Sequence, residues 1–184
     1  MKRIEELQQE AIALLQKLIS TPSLSGEEDQ TAAHIKAWLE SYGVACKQEK
    51  NNVYAINKHE DPSKPYLLLN SHHDTVHANS GYTRNPHDAT IEDGKLYGLG
   101  SNDAGGALVC LLATFVYFYE QENMAYNLVV AATAEEETSG PNGLNSLLKI
   151  LPPIDTAIVG EPTQMHLAVA EKGLVVFDAT INGT

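Results

Sequence analysis

The 184-residue sequence predicts an α/β layered fold with a mostly parallel central sheet. Short apolar runs of strand length alternate with segments whose apolar residues recur every three or four positions. One run, 66–69, is apolar without alternation, as expected of a strand buried on both faces. Three of the runs end in histidine, aspartate or glutamate rather than in turn residues. That puts ionisable groups at the carboxyl-terminal edge of the sheet, where open α/β sheets bind ligands.

Ile4, Leu7, Ala11, Leu14, Leu15 and Leu18 make a first amphipathic helix, which Thr21-Pro22-Ser23 breaks. Ser25-Gly26-Glu27-Glu28 has the form of a capping box for a second helix, carrying Ala33, Ile35, Trp38 and Leu39 and stopping at Gly43. Strands are expected at 44–49 and 53–57 about Asn51-Asn52, and a surface turn at 61–65 precedes the 66–69 strand. A polar loop over 77–85 and a glycine-rich stretch from Gly94 to Asp103 lead into a buried, nearly all-apolar helix from 104 to about 120. Further strands are expected at Asn127–Thr133, Thr156–Val159, 166–170 and 174–181, with a short helix at 141–151 that Pro152-Pro153 ends. No internal repeat, low-complexity segment or linker interrupts the chain before about residue 171.

Hydrophobic content of 43% and charged content of 20% suit an ordinary soluble globular domain. A net charge of −12 argues against nucleic acid or an anionic membrane as partner, since both need a basic face. The amino terminus has no apolar core of a signal peptide, and no apolar run approaches the roughly 20 residues of a membrane span. Cys46 and Cys110 lie far apart and outside any Cys-x-x-Cys pattern, which fits free buried thiols in a reducing compartment. The expected location is cytoplasmic.

The 66–69 run leads directly into Ser71, His72, His73 and Asp74. On an extended chain His72 and Asp74 share one face and His73 points the other way, so His73 is read as a packing residue. Asn127–Thr133 leads into Glu135-Glu136-Glu137, Thr156–Val159 leads into Glu161, and Asp103 sits at the glycine-rich turn. As parallel neighbours these strands would bring the carboxylates to one rim, where they repel unless cations compensate them. One imidazole among several carboxylates suits zinc, cobalt or manganese better than calcium or magnesium. Two metals sharing a bridging carboxylate would form a hydrolytic clamp.

Each piece alone has an ordinary structural reading. A His–Asp pair at a strand end is at least as often structural, a run of glutamates is usually a solvated face, Asp103 suits a helix N-cap, and Glu161 suits a turn. The joint pattern singles them out. Gly98-x-Gly100 is not a dinucleotide fingerprint, because the third glycine is out of register, and no P-loop occurs. His34, His59, His77, His87 and His166 have no companion cluster and are read as surface or loop residues.

Ser-His-His-Asp-Thr-Val, Gly-Leu-Gly-Ser-Asn-Asp-Ala-Gly-Gly, Ala-Glu-Glu-Glu-Thr-Ser-Gly and Val-Gly-Glu-Pro-Thr resemble the successive motifs of the co-catalytic zinc hydrolases. That family contains acetylornithine deacetylase, succinyl-diaminopimelate desuccinylase, aminoacylase and the glutamate carboxypeptidases. The Asp-Thr-Val ending leans towards the acetylornithine deacetylase branch. The resemblance implies a three-layer α/β/α sandwich with a mostly parallel mixed sheet, the zinc-aminopeptidase-like catalytic domain, here incomplete. It implies His72, Asp103, Glu137 and Glu161 as metal ligands, with Asp103 bridging two zinc ions (cobalt or manganese being alternatives). Asp74 would orient His72, and Glu136 would be the general base towards a metal-activated water. Glu135 stands where the family usually has aspartate, and a cis peptide is implied at Asp103–Ala104. The implied activity is hydrolysis of the amide bond of a small N-acyl amino acid, such as acetylornithine or acetylcitrulline in arginine biosynthesis. A dipeptidase, carboxypeptidase or desuccinylase of the same family is the alternative, and a non-catalytic role the other.

The resemblance also implies a further histidine ligand and a lid domain that this sequence lacks. Residues 1–171 are therefore read as the amino-terminal part of the catalytic domain and 172–184 as the start of the lid. The expectation is a chain that is nearly inactive alone, and a complete protein that can pair as a homodimer.

Overall fold

The computed structural model describes residues 4–170, 172, 173, 175, 177 and 179–181. Helices α1 (Ile4–Ile19) and α2 (Asp29–Ser41) precede the hairpin β1 (Lys47–Glu49) and β2 (Asn52–Ile56), and then β3 (Tyr66–His72). A small hairpin, β4 (Ile91–Glu92) and β5 (Lys95–Leu96), turns at Asp93-Gly94, both with positive φ. One π-type turn at Ser101–Gly105 opens α3 (Gly106–Phe118), followed by β6 (Asn127–Thr133), α4 (Leu144–Leu147) and β7 (Thr156–Val159).

The main sheet has the order β1-β2-β6-β3-β7. β6, β3 and β7 run parallel, with His72 paired to Thr133 and Asn70 to Val159, whereas β1 and β2 are antiparallel additions. All seven residues of β6 are buried, which explains why that strand carries no polar alternation. On one face α1, α2 and α3 close a core around Leu14, Ile35, Leu108, Leu112, Phe115 and Val130. On the other face Leu147 and Leu151 cover Leu68, Val129 and Ala131. Helices on both faces of a mixed sheet make the expected three layers. β7 is an edge strand exposed along its length, with Ile158 and Val159 open to solvent.

Several expectations are corrected. Ser25 and Glu28 do not cap α2: its first turn has no side-chain cap, and both side chains are used elsewhere. The long apolar helix starts regularly only at Gly106, because Asp103 and Ala104 have non-helical backbone angles. It is buried on one face only, through Leu108, Val109, Leu112 and Phe115, while Phe118 is exposed. The 18 residues Ser101–Phe118 are long and apolar enough to cross a membrane by composition, contrary to the expectation that no run comes near that length. They pack here as a core helix against β3 and α1. The helix expected at 141–151 shrinks to one turn at Leu144–Leu147. No strand forms at 166–170, where Leu167 and Val169 are exposed. The run expected at 174–181 lies partly outside the described residues. Cys110 is exposed and Cys46 only half-buried, so the thiols are free but not both buried.

Candidate metal centre

The parallel pairing of β3 with β6 and β7 places the carboxyl-terminal ends of all three strands on one rim. β3 delivers His72 as its last residue, 1% exposed. Past the end of β7, the Gly160 backbone N–H donates to the Asn70 carbonyl, and Ser71 Oγ donates to the Gly160 carbonyl, both at 2.8 Å. These bonds hold Glu161 beside β3. Asp103 reaches the rim from the turn before α3. Gly100 begins that turn with a φ of 76°, the Gly105 N–H closes it onto the Gly100 carbonyl at 2.9 Å, and the Asp103–Ala104 peptide is cis.

The side chains converge on Nε2 of His72. Asp103 Oδ1 lies 3.2 Å away, Glu136 Oε2 3.8 Å and Glu161 Oε2 3.9 Å. One ligand atom each from His72, Asp103 and Glu137 lie within 4.8 Å of one another, close enough for one cation to touch all three. Glu161 lies outside that tightest group but within reach of the same imidazole nitrogen. On the other side of the ring, Nδ1 faces the Asp74 carbonyl at 3.0 Å and its carboxylate at 3.3 Å. Those two acceptors keep a proton on Nδ1 and turn Nε2 towards the carboxylates.

Asp74 is fully buried and heavily used. Its Oδ2 accepts Ser25 Oγ–H at 2.7 Å and the Glu137 N–H at 3.1 Å, while Oδ1 accepts the Glu136 N–H at 3.1 Å. Burial alone would raise its pKa, but hydrogen bonds from His72, Ser25, Glu136 and Glu137 outweigh that and hold it at about 2. Burial likewise would lower the His72 pKa. The Asp74 hydrogen bond and charge, with Glu161 and Glu136, overcome it and lift the imidazole to about 9. Glu161 is pushed up to about 6 by burial, with Glu136, Asp103 and Glu137 adding to it against the opposing charge of His72. Glu137 is raised by burial and by Asp103, Glu136 and Asp74, again against His72.

Glu137 and Glu161 resist ionising while His72 favours its protonated form, so the rim is short of positive charge, which a cation bound at Nε2 in place of that proton would supply. The donor set of one imidazole and several carboxylates fits zinc, cobalt or manganese. Glu135, by contrast, serves its own loop. It adopts a φ of 54°, and its carboxylate accepts the backbone and side-chain N–H groups of Asn142 at 3.0 and 2.7 Å. His73 is buried away from the rim, with Nδ1 2.8 Å from Thr31 Oγ1 and Nε2 3.0 Å from the Asn51 carbonyl. The other five histidines stay outside the cluster of ligand atoms; His87 bonds the Ile19 carbonyl instead.

Sequence reasoning missed Ser25 and Glu28. The segment that holds them lies along the chain that follows β3. Ser23 Oγ donates to the His73 carbonyl at 2.9 Å, and the Thr75 N–H donates to the Ser23 carbonyl at 2.8 Å. A buried glutamate and a serine beyond the end of a helix give no periodic signal, and the capping-box pattern offered them a local role instead.

Fold and rim together define an α/β protein with a candidate metal centre at the sheet's carboxyl-terminal edge. The sequence profile of Peptidase family M20/M25/M40 matches residues 68–176, and the chain belongs to that family. It is 32% identical over 176 residues to acetylornithine deacetylase of Proteus mirabilis, covering 88% of this chain and 45% of that relative. The Salmonella arizonae acetylornithine deacetylase is 34% identical over 179 residues, with the same coverage. The chain thus spans about half the length of the curated relatives it matches. Among solved structures, the M20 family metallo-carboxypeptidase Sso-CP2 from Sulfolobus solfataricus superposes with a TM-score of 0.69 at 26% identity. The match covers 82% of this chain and 37% of that one.

Proposed function

We propose that this chain is part of a cytoplasmic metal-dependent hydrolase that removes the acyl group from a small N-acyl amino acid, as an acetylornithine deacetylase does. The observation that carries this reading is the convergence of His72, Asp103 and Glu137 ligand atoms within 4.8 Å, with Glu136 and Glu161 within 4 Å of the same imidazole nitrogen. His72, Asp103 and Glu161 would hold one zinc, and Asp103 and Glu137 a second. Bound there, the metal would supply a Lewis acid and lower the pKa of a water molecule towards about 7.

The protein's own groups have separable roles in this reading. Glu136 is tied to the loop through its backbone, while its half-exposed side chain stands beside the ligand atoms, 3.8 Å from His72 Nε2. It would take a proton from the attacking water and pass it to the departing amine. Asp74 holds His72 in the tautomer whose Nε2 lone pair is free for the cation. An open cleft lined by Asn70, Thr133, Ser139, Leu144 and Asn145 lies alongside His72, Glu136 and Glu161 and offers the acyl amino acid a place to lie. The similarity to the Sulfolobus metallo-carboxypeptidase supports a second reading, cleavage of a short peptide at the same rim.

The test is elemental analysis of zinc in purified protein with and without Glu137→Ala, followed by assays with N-acetylornithine and a dipeptide. Zinc in the parent above the content of Glu137→Ala supports the two-metal reading. In the complete protein, release of acetate that Glu136→Gln lowers by about 10²–10⁴-fold supports the assignment of the base. A parent that binds no zinc above background sinks the reading.

A further inference from the structure

Glu28 is a fully buried carboxylate outside the rim that a capping box does not explain. Its oxygens accept from three separate segments. Oε1 takes the Gly26 N–H at 2.7 Å and the Glu135 N–H at 3.1 Å, and Oε2 takes Asn51 Nδ2–H at 2.8 Å. The bond to Glu135 spans 107 positions of sequence. The next two backbone N–H groups, those of Glu136 and Glu137, go to the two oxygens of Asp74. Three consecutive amides after β6 are therefore all bound by carboxylates, one supplied by the loop before α2 and the other by the chain after β3. Ser25, three residues before Glu28, bonds Asp74 and joins the two carboxylates into one support.

We propose that Glu28 is a positioning residue: with Asp74 it fixes the backbone of Glu135–Glu137 and so sets where the Glu136 and Glu137 side chains stand at the rim. Charge-assisted bonds to backbone amides are about twice as strong as neutral ones. A carboxylate in this buried place makes sense if the segment it holds must not move. Asn51 extends the support, because its carbonyl bonds His73 while its side chain bonds Glu28. The functional consequence rests on the metal-site reading above; the mechanical one does not.

The experiment measures amide hydrogen exchange at Glu135–Glu137 in metal-free protein, against the β6 amides of Val129 and Val130. Parent, Glu28→Ala, Glu28→Gln and a control at the exposed neighbour, Glu27→Ala, are compared. Exchange at the three amides should quicken strongly in Glu28→Ala and less in Glu28→Gln, which keeps the shape but is a neutral acceptor. β6 and the Glu27→Ala protein should stay at parent values. Cobalt(II) titration of the same proteins should show affinity weakened about tenfold or more by Glu28→Ala and partly restored by Glu28→Gln. If Glu28→Ala does not fold, Glu28→Gln alone decides. Parent-like exchange at Glu135–Glu137 in either folded variant overturns the proposal, as does quickened exchange with unchanged cobalt affinity. A parent that binds no cobalt defeats the metal reading and leaves the exchange comparison to decide the role of Glu28.

Discussion

Asp74 Oδ1 lies 3.3 Å from Nδ1 of His72, and both side chains are closed off from solvent. The same carboxylate accepts the backbone N–H groups of Glu136 and Glu137, so one side chain orients the imidazole and anchors the acidic loop opposite it. Asp74→Asn should damage both. An amide nitrogen cannot accept an N–H, so one of the loop amides or Ser25 loses its partner, at a cost of about 1–3 kcal/mol. His72 loses the charge that lifts its pKa, and zinc affinity should fall about 10–100-fold. Chemical denaturation together with zinc competition against a chelator checks the pair of effects; an intact affinity would show that Asp74 does not act through His72.

The crowding of Glu161 has a sign that can be measured. Its folded pKa, pushed up to about 6, lies above the ordinary value for glutamate, so the charged form is disfavoured in the folded metal-free protein. The penalty grows as pH rises from the unfolded value through the folded one. Glu161→Gln should therefore raise the Tm of metal-free protein near neutral pH, with the gain vanishing by about pH 4. Added zinc stabilises the parent by mass action and should stabilise this variant less. Thermal melts at several pH values, with and without zinc, read both effects. A variant less stable than the parent when metal-free would mean that the rim is not charge-frustrated.

Much of this architecture was legible because it rests on periodicity and on strand length. The buried run at 66–69 and the five consecutive apolar residues of β6, Leu128 to Ala132, read as central strands, and once they are parallel His72 and Glu135–Glu137 fall at the same edge. The alternation of His72, His73 and Asp74 also told the packing histidine from its neighbours. Ser25 and Glu28 escaped because their partners lie 49 and 107 positions away, and separation of that kind leaves no local trace. The segment 166–170 misled for the opposite reason. Its local composition favours a strand, but pairing and burial decide strands, and Leu167 and Val169 have neither.

Gly98 shows how tightly the glycine-rich turn is built. Its φ is 137°, and a Cβ placed there would come within 2.3 Å of Ile19 Cγ2 and 3.3 Å of the Pro86 carbonyl. Gly98→Ala combines a strained backbone with overpacking against α1, and should cost about 1–3 kcal/mol or more. Because the turn leads to Asp103, metal affinity should fall with stability. Gly94→Ala has a positive φ of 74° but open space around it, and should show the backbone penalty alone. Denaturation midpoints of the two variants separate the steric part from the conformational part, and equal losses would mean that the Ile19 contact relaxes freely.

His73 should make the protein acid-sensitive. Burial, the largest influence, lowers its pKa, and although the Asn51 bond and the charges of Glu28 and Asp74 oppose this, the net direction is down. Well above about pH 6.5 the ring is uncharged in both states and contributes no pH dependence. As pH falls through the unfolded value of about 6.5 the unfolded chain takes up a proton that the folded chain resists, so stability declines by up to about 1.4 kcal/mol per pH unit. His73→Asn removes the titrating group. It should cost stability at neutral pH through the lost bonds to Thr31 and Asn51, yet flatten the decline between about pH 7 and about pH 5. The difference between parent and variant denaturation curves across that window isolates His73 from His72, whose raised pKa acts in the opposite sense: the stability it lends is complete below about pH 6.5 and is lost as pH rises towards about 9. Parallel pH profiles for the two proteins would show that His73 takes up its proton in the folded state as readily as in the unfolded one.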